Sequence, residues 1–188
     1  MRIGIDIDDT ICNTFEEVLP YVCKFYNLDY KTIKKQKLDY NYFMNNYDNY
    51  YDFAKQNYKY IIPNVSLKKG VIKYLNKIKK LGHEIIFITS RGMKGYDNPY
   101  QITYDYLVKN SVPFDSLITC AEDKGEVCVE EQIDIFFDDD INNYKNVAKR
   151  GIDVYLYTID SNKKYNNVRR VKNFHQIYKI VKGGKYGR

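Results

Sequence analysis

Short apolar runs alternate with amphipathic stretches along this chain of 188 residues. Such runs are typical of strands buried on both faces of a parallel sheet. Val71, Leu75 and Ile78 recur at helical spacing, and Gly82 is placed to end that helix. Because strands alternate with helices, we predict an α/β fold with a Rossmann-like, doubly wound parallel sheet. The predicted strands are residues 2–7, 84–89, 116–120, 133–137 and 154–158, and the predicted helices are residues 67–81, 99–110, 142–150 and 174–181.

One interval breaks this alternation. Nearly eighty residues separate the first two predicted strands, which is too many for a single crossover. We therefore predict a helical insertion over residues 14–62, with residues 1–13 and 63–182 forming the core. Ten of the 21 tyrosines fall within residues 21–60. This region is either a small helical core whose tyrosine content reflects an AT-rich genome, or a cap whose rings stack on a substrate base.

The net charge of +6 is unevenly distributed. Residues 161–188 carry nine Lys and Arg and no Asp or Glu, which leaves 21 basic against 24 acidic residues elsewhere. The basic character thus lies at the C-terminal end, either as a solvated segment or as a weak attraction for phosphate-bearing partners. We expect residues 183–188 to be a flexible basic tail. A nucleic-acid partner is not expected, because the charge is confined to one end.

The N-terminus and the cysteines indicate a cellular compartment. No signal peptide is expected, because Asp residues stand where an apolar h-region should be. No apolar run approaches the roughly 20 residues that span a bilayer, so no membrane association is expected. The four cysteines form no CxxC pair. Reduced thiols and a cytoplasmic location fit this pattern.

Carboxylates crowd the end of the first predicted strand, at Asp6, Asp8 and Asp9. In open α/β sheets, ligands bind at the carboxyl ends of the strands. Crowded carboxylates repel one another unless a cation or a proton compensates them, and Mg²⁺ is the obvious cation. A calcium loop is disfavoured, because Ile11 stands where its glycine is needed. A solvated acidic turn is the other interpretation.

Polar residues also follow three later strands. Asp138, Asp139 and Asp140 form a second acidic cluster, and a divalent metal between the two clusters would explain both. The 84–89 strand ends in Thr89-Ser90-Arg91, whose hydroxyls and amides can bind phosphate. Lys124 follows the 116–120 strand and could reach the same phosphate, although it could equally be a surface lysine at a helix start. Lys94 is the fallback candidate.

The order of these motifs resembles the haloacid dehalogenase (HAD) superfamily of phosphatases. The resemblance spans roughly residues 1–160 and includes all four motifs: DxDxT at residues 6–10, a strand ending in Thr89, Lys124, and a strand ending in Asp138-Asp139. The 14–62 insertion matches the position of the first cap class of that superfamily. Residues 5–14 and 88–91 look most like the 5′(3′)-deoxyribonucleotidase branch, and more closely its bacterial nucleotidase members.

The resemblance implies a Mg²⁺-dependent phosphatase of (deoxy)nucleoside monophosphates. Asp6 would be the nucleophile, giving an aspartyl-phosphate, and Asp8 the general acid and base. Thr89 and Lys124 would hold the phosphoryl oxygens. Thr10, Ser90 and Arg91 would assist in binding substrate, with Arg91 either on phosphate or paired with an acidic neighbour. The metal would be held by Asp6, Asp8 (through its backbone carbonyl) and Asp139 or Asp138, with Asp139 preferred.

Other functions are compatible with the same residues. The substrate could instead be a sugar phosphate, another phospho-metabolite or a polynucleotide 3′-phosphate. A binding module that has lost its chemistry is the alternative from a different class, but it would usually have lost the nucleophile or its partner. The expected partner is a small nucleotide, and a homodimer is left open.

Overall fold

The computed structural model describes residues 1–183, and its core is one sheet of six parallel strands. The strand order is β3-β2-β1-β4-β5-β6, which places β1 in the interior between β2 and β4. Gly4 lies in β1, where a Cβ atom would approach the Phe136 ring of β4 to 2.6 Å. The strands are β1 (Arg2–Ile5), β2 (Glu84–Ile88), β3 (Ser116–Ile118), β4 (Ile135–Asp138), β5 (Asp153–Tyr157) and β6 (Arg170–Val171).

Helices cover both faces of this sheet, as a doubly wound fold requires. Helices α5 (Val71–Lys80) and α9 (Phe174–Gly183) pack side by side and bury Leu75 and Ile177 in the larger apolar core. Helices α7 (Lys124–Glu130) and α8 (Ile141–Ala148) bury Cys128 and Val147 in a second apolar cluster. Helix α6 (Pro99–Lys109) begins at Pro99, after Asn98 caps its N-terminus.

Four helices lie between β1 and α5. They are α1 (Thr14–Phe25), α2 (Tyr30–Lys35), α3 (Tyr40–Asn46) and α4 (Tyr50–Ile61), and a short 3-10 helix, Ile62–Asn64, follows them. Phe43 and Phe53 are fully buried among the aromatic rings of these helices. We call residues 14–62 the cap. It contacts the core at the loops after β1, β4 and β5, as described below.

The fold class is confirmed, and the differences lie at element boundaries. Predicted strand 2–7 ends at Ile5, and the chain turns two residues later, where the amides of Thr10 and Ile11 donate to the Ile7 carbonyl. Strand β4 starts at Ile135, not 133, and includes Asp138. Helix α5 begins at Val71, four residues later than predicted, because Gly70 adopts a left-handed conformation. Strand β6 and helix α7 were not predicted. Of the predicted tail, Gly183 ends α9 and residues 184–188 lie outside the described residues.

Among residues 1–183, no helix combines the length and the apolar composition needed to cross a bilayer.

Candidate active site

Asp6 and Lys124 meet at the carboxyl ends of β1 and β4. The Asp6 amide donates to the Phe137 carbonyl at 2.9 Å, which continues the pairing of the two strands by one residue. Lys124, the first residue of α7, donates to Asp6 Oδ1 at 2.5 Å and to Asp138 Oδ2 at 2.8 Å. All three side chains are at most 5% exposed. Lys124 is therefore a buried cation shared by two carboxylates, and its interpretation as a surface lysine is wrong.

Asp6, Asp138 and Asp139 form a cluster with oxygen ligands for a metal. One carboxylate oxygen from each lies within 4.8 Å of the others. Burial raises the pKa of Asp6 to about 8, because the negative charges of Asp138 and Asp8 add to it and Lys124 compensates only in part. Burial and the charge of Asp6 raise the pKa of Asp139 well above its usual range. The cluster thus lacks positive charge, and a hard divalent cation such as Mg²⁺ fits it.

Asp8 faces a different cation. Arg91 Nε donates to Asp8 Oδ2 at 2.9 Å and Arg91 Nη2 donates to Asp8 Oδ1 at 2.7 Å, a bidentate ion pair. Thr14 donates to Asp8 Oδ1 at 2.7 Å. Burial would raise the pKa of Asp8, but the charge and hydrogen bonds of Arg91 outweigh it and lower the pKa. Of the two alternatives for Arg91, the structure shows pairing with an acidic neighbour.

Arg91 itself is held from the opposite side. It is 3% exposed, Nη1 donates to the Thr103 hydroxyl at 3.3 Å, and the guanidinium lies over the rings of Tyr96 and Tyr106 at 5.9 and 5.7 Å. Flat aromatic faces stabilise a guanidinium whose edges are used for hydrogen bonds. Contacts with residues later in the chain therefore orient Arg91 toward Asp8.

The remaining predicted residues lie around these two ion pairs. The hydroxyl of Thr10 donates to Asp139 Oδ1 at 3.1 Å, which ties the two acidic strand ends together. Thr89 is buried at the end of β2, and its hydroxyl accepts from the Arg91 amide at 3.3 Å. The exposed Ser90 donates to the Ala121 carbonyl at 2.9 Å. The Lys94 ammonium lies 5.7 Å from the Tyr51 ring of the cap, whereas Lys124 contacts Asp6 and Asp138, so the structure favours Lys124 over this fallback.

Asp9, the third acidic residue after β1, neither joins the carboxylate cluster nor faces solvent. It is 7% exposed and does not belong to the three-carboxylate cluster. Its carboxylate accepts the Phe15 amide at 3.0 Å, at the start of α1, and its backbone is left-handed, with φ of 56°. Asp9 therefore connects the loop after β1 to the first cap helix.

Tyrosine hydroxyls of the cap surround the Asp8 side of the site. The hydroxyls of Tyr50 and Tyr58 lie 2.7 Å apart, and the Tyr58 and Tyr96 ring centroids are 5.2 Å apart. The Tyr40 hydroxyl is buried and has no hydrogen-bond partner within residues 1–183. Burial raises the pKa of Tyr40 well above its usual range, and Tyr58, Asp9 and Asp8 raise it further. These hydroxyls are therefore neutral, and they lie near the carboxylates that follow β1.

The cap also contacts the core on the side of the carboxylate cluster. Asn41 in α3 donates to Asp140 Oδ2 at 2.7 Å, and Lys37 lies 4.0 Å from Asp160. A crevice of about 300 Å³ lies between the first two cap helices and residues 158–161, with Asp9 on its wall. The cap thus touches the core beside a crevice that reaches the loop after β1.

Three polar residues of the site were missed in the sequence. Thr14 binds Asp8, Asn143 donates to both oxygens of Asp138 at 3.3 and 3.1 Å, and Asn162 donates to the Asp139 carbonyl at 2.8 Å. Asn143 could have been found, because it lies in the first turn of the helix after an acidic strand end. Thr14 and Asn162 carry no such signal in the sequence.

The fold is that of solved hydrolases of the HAD superfamily. A predicted phosphatase from Clostridium acetobutylicum superposes with a TM-score of 0.67 at 13% identity, covering 97% of this chain and 98% of the other. The HAD-hydrolase YfnB from Bacillus subtilis, in a magnesium-bound form, gives a TM-score of 0.63 at 13% identity and covers 96% and 97% of the chains. At these identities the likeness shows the fold alone.

Sequence comparison identifies the family. The family model described as 5′ nucleotidase, deoxy (pyrimidine), cytosolic type C protein matches residues 1–185, so the chain belongs to that family. A protein named Nucleotidase from Clostridium acetobutylicum is 28% identical over 189 residues, covering 96% of this chain and 93% of the relative. The chain is therefore a HAD-type phosphatase or nucleotidase.

Proposed function

We propose that this protein is a Mg²⁺-dependent phosphatase that hydrolyses (deoxy)nucleoside monophosphates through an aspartyl-phosphate on Asp6. The observation that carries the proposal is the position of Asp6, hydrogen-bonded to Lys124 and clustered with Asp138 and Asp139. A carboxylate in this position can attack phosphorus. The family match supports a nucleotide as the substrate.

The chemistry of the oxygen cluster supports Mg²⁺ as the cofactor. Asp6, Asp139 and Asp138 supply hard oxygen ligands, and the backbone carbonyl of Asp8 is the fourth proposed contributor. Lys124 alone cannot balance the carboxylates, as the raised pKa of Asp6 indicates. When bound, the cation would neutralise phosphoryl charge and orient the transfer. Asn143 and Thr10 would keep Asp138 and Asp139 in position.

The two half-reactions assign different tasks to Asp6 and Asp8. In the first, Asp6 attacks phosphorus, the bond to the nucleoside oxygen breaks, and Asp8 gives that oxygen its proton. In the second, Asp8 takes a proton from water as the water attacks the aspartyl-phosphate, which releases phosphate and restores Asp6. Lys124 and Thr89 would hold the phosphoryl oxygens that are not transferred, and Ser90 would assist at the exposed edge.

The Arg91 ion pair places a condition on this scheme. Arg91 lowers the pKa of Asp8 and so favours its ionised form, whereas the first step requires its protonated form. We infer that the pair loosens when a phosphate dianion enters, because the phosphate competes for the same guanidinium. Arg91 would then contact substrate, as the sequence suggested, and return to Asp8 after product release.

Cap tyrosines are the proposed contacts for the nucleoside. Tyr40, Tyr50 and Tyr58 place hydroxyls near Asp8, where the leaving group would lie. A buried hydroxyl without a partner among the described residues, such as that of Tyr40, gains a hydrogen bond when a polar ligand occupies the site. The cap must open to admit substrate, which breaks the Asn41–Asp140 contact.

The test is phosphate release with Mg²⁺ across ribo- and deoxynucleoside 5′- and 3′-monophosphates, sugar phosphates and a 3′-phosphorylated oligonucleotide. Asp6→Asn serves as the blank. A preference for deoxynucleoside monophosphates that the variant lacks would support the proposal. Turnover of sugar phosphates alone would retain the mechanism and exclude the nucleotide assignment. A cytoplasmic place in deoxyribonucleotide metabolism belongs to the same proposal, and a homodimer stays a prediction.

A further inference from the structure

Helices α5 and α9 form a basic face on the outer surface of the core. Each helix carries basic residues at positions i, i+4 and i+7, which lie on one side of a helix. All six are exposed, and no ion pair involves any of them within residues 1–183. They are Lys73, Lys77 and Lys80 of α5 and His175, Lys179 and Lys182 of α9. We call this set the basic face.

Charge segregation along the chain is stronger than the C-terminal segment alone suggested. Residues 65–83 carry six Lys, and residues 161–188 carry nine Lys and Arg. These two stretches hold 15 of the 30 basic residues and none of the 24 acidic ones, so the rest of the chain has a charge of −9. The sequence alone disfavours nucleic acid because the basic charge lies at one end. The packing of α5 against α9 removes that reason, because it joins both stretches in one surface.

Aromatic rings lie between the two rows of basic residues. The rings of Tyr74 and His175 are stacked with centroids 5.3 Å apart. The Tyr178 ring lies 5.9 Å from Tyr74. The Lys77 ammonium lies 5.5 Å from the Tyr74 ring and 5.4 Å from the Tyr178 ring. Cations and aromatic rings are thus interleaved on one surface.

We propose that the basic face binds single-stranded nucleic acid, with its phosphates on the lysines and its bases on the Tyr74, His175 and Tyr178 rings. Proteins that bind single-stranded nucleic acid without sequence preference combine positive charge along the path of the nucleic acid with exposed aromatic rings. Charge complementarity selects a polyanion, and the rings favour unpaired bases over a duplex or a lipid surface. The face is separate from the carboxylate site, so this inference does not depend on the proposed function.

Binding is measured by fluorescence anisotropy of a labelled single-stranded oligonucleotide of about 12 residues, without Mg²⁺, over a series of salt concentrations. Replacement of two neighbouring cations, in Lys73→Glu/Lys77→Glu, should weaken binding by about tenfold or more. It should also lower the slope of log affinity against log salt by about 1.4, since each lost contact to a single strand contributes about 0.7. Tyr178→Leu should weaken binding about fivefold or more through lost stacking.

The matched control is Lys55→Glu/Lys59→Glu on α4. These lysines are also exposed and spaced i, i+4, so the change in charge and helix context is the same. Binding by this variant should stay within about twofold of wild type. Equal loss in both double variants would overturn the proposal, since it would show attraction to net charge alone. Unchanged binding in Lys73→Glu/Lys77→Glu would also overturn it.

Two further measurements distinguish nucleic-acid binding from lipid binding and from a folding defect. Binding to phosphatidylserine vesicles but not to the oligonucleotide would overturn the proposal in favour of a lipid surface. Circular dichroism and the melting temperature show whether each variant is folded. Mononucleotide turnover should be the same in all variants, because none of these residues belongs to the catalytic machinery. A failure of the proposed phosphatase activity would leave this binding result unaffected.

Discussion

The two ends of the candidate active site each contain a buried cation, but the contacts of the two cations differ. At the Asp6 end, Lys124 is shared between Asp6 and Asp138, and Asp139 lies beside them. At the other end, Arg91 is matched to Asp8 alone. The pKa of Asp6 is consequently raised and the pKa of Asp8 lowered. The first end lacks positive charge and can accept a metal, whereas at the second end one cation already balances one carboxylate, and the proposed mechanism requires that pair to separate.

The largest expected effect comes from removal of the proposed nucleophile. Asp6→Asn should lower phosphate release by about 10⁴-fold or more, because the proposed covalent intermediate forms on the Asp6 carboxylate. The variant should melt no lower than wild type, because metal-free Asp6 is already protonated below about pH 8 and Lys124 keeps its contact with Asp138. A phosphate-release assay and a thermal melt measure both quantities. Asp105→Asn, at an exposed position on α6, is the control. Near-normal turnover by Asp6→Asn would exclude the covalent mechanism.

Arg91→Gln tests the opposite end. We expect kcat to fall about 100-fold, because Asp8 loses the partner that orients it for proton transfer. Stability should fall by about 3 kcal/mol, since the partly buried Asp8 carboxylate loses its buried cation. The pKa of Asp8 should rise, so the limb of the kcat/KM profile that Asp8 controls should move to higher pH.

Two further variants make the Arg91 experiment specific. Arg91→Lys keeps the charge but loses the bidentate geometry, so its kcat should lie between wild type and Arg91→Gln. Arg150→Gln removes an exposed arginine that pairs with Asp123, and it should change neither kcat nor the pH profile. If Arg91→Gln kept the wild-type pH profile and kcat, Arg91 would have no role in positioning Asp8.

The difference between the two ends also shows what sequence could predict. Asp6, Asp138 and Asp139 follow apolar strands, so their meeting at one edge of a parallel sheet followed from the fold class. The orientation of Arg91 did not follow, because it depends on Thr103, Tyr96 and Tyr106 in later parts of the chain. From the local sequence, a substrate phosphate and a neighbouring carboxylate were equally good candidates to pair with Arg91.

The errors in the predicted fold have a similar cause. Strongly apolar β1, β2 and β4 were predicted to within a few residues. The missed β6 has two residues and joins the sheet only at the edge, beside β5. The missed α7 has seven residues and no clear amphipathic pattern. Its position depends on the burial of Lys124 and Cys128. The basic face was missed because it requires the packing of α5 against α9.

The stabilisation of the protein by Mg²⁺ should depend on pH, because the proposed metal site is at the Asp6 end, where the pKa is raised. A folded-state pKa of about 8 for Asp6 means that the metal-free native protein holds a proton which the unfolded chain releases near 3.8. The native state thus binds more protons between these values, and its stability falls as pH rises through them. Mg²⁺ must displace that proton, so its stabilising effect should be larger at pH 8 than at pH 6.

Thermal melts with Mg²⁺ and with EDTA at the two pH values measure this difference. The extra stabilisation should be at most about 1.4 kcal/mol per pH unit for one displaced proton. Asp6→Asn cannot release that proton, so the pH dependence should be reduced in this variant. An equal effect of Mg²⁺ at pH 6 and pH 8 in the wild-type protein would show that Asp6 is already ionised without the metal.

The smallest expected effect comes from a change in the cap near Asp8. It should improve stability and weaken substrate binding. Tyr40→Phe removes a buried hydroxyl that has no partner among the described residues, so the free energy of unfolding should rise by up to about 1 kcal/mol. If that hydroxyl binds the nucleoside, KM for the preferred nucleotide should rise about fivefold, since a hydrogen bond of about 1 kcal/mol is lost. Chemical denaturation and steady-state kinetics measure the two quantities.

Tyr26→Phe is a close control for this experiment. Its hydroxyl is also buried and unpartnered within residues 1–183, but it lies near Tyr47 and Asp52, not the carboxylates that follow β1. Tyr26→Phe should raise the free energy of unfolding by a similar amount and leave KM unchanged. Because the control separates a better-packed cap from a lost substrate contact, an equal KM in both variants would remove Tyr40 from the proposed nucleoside site.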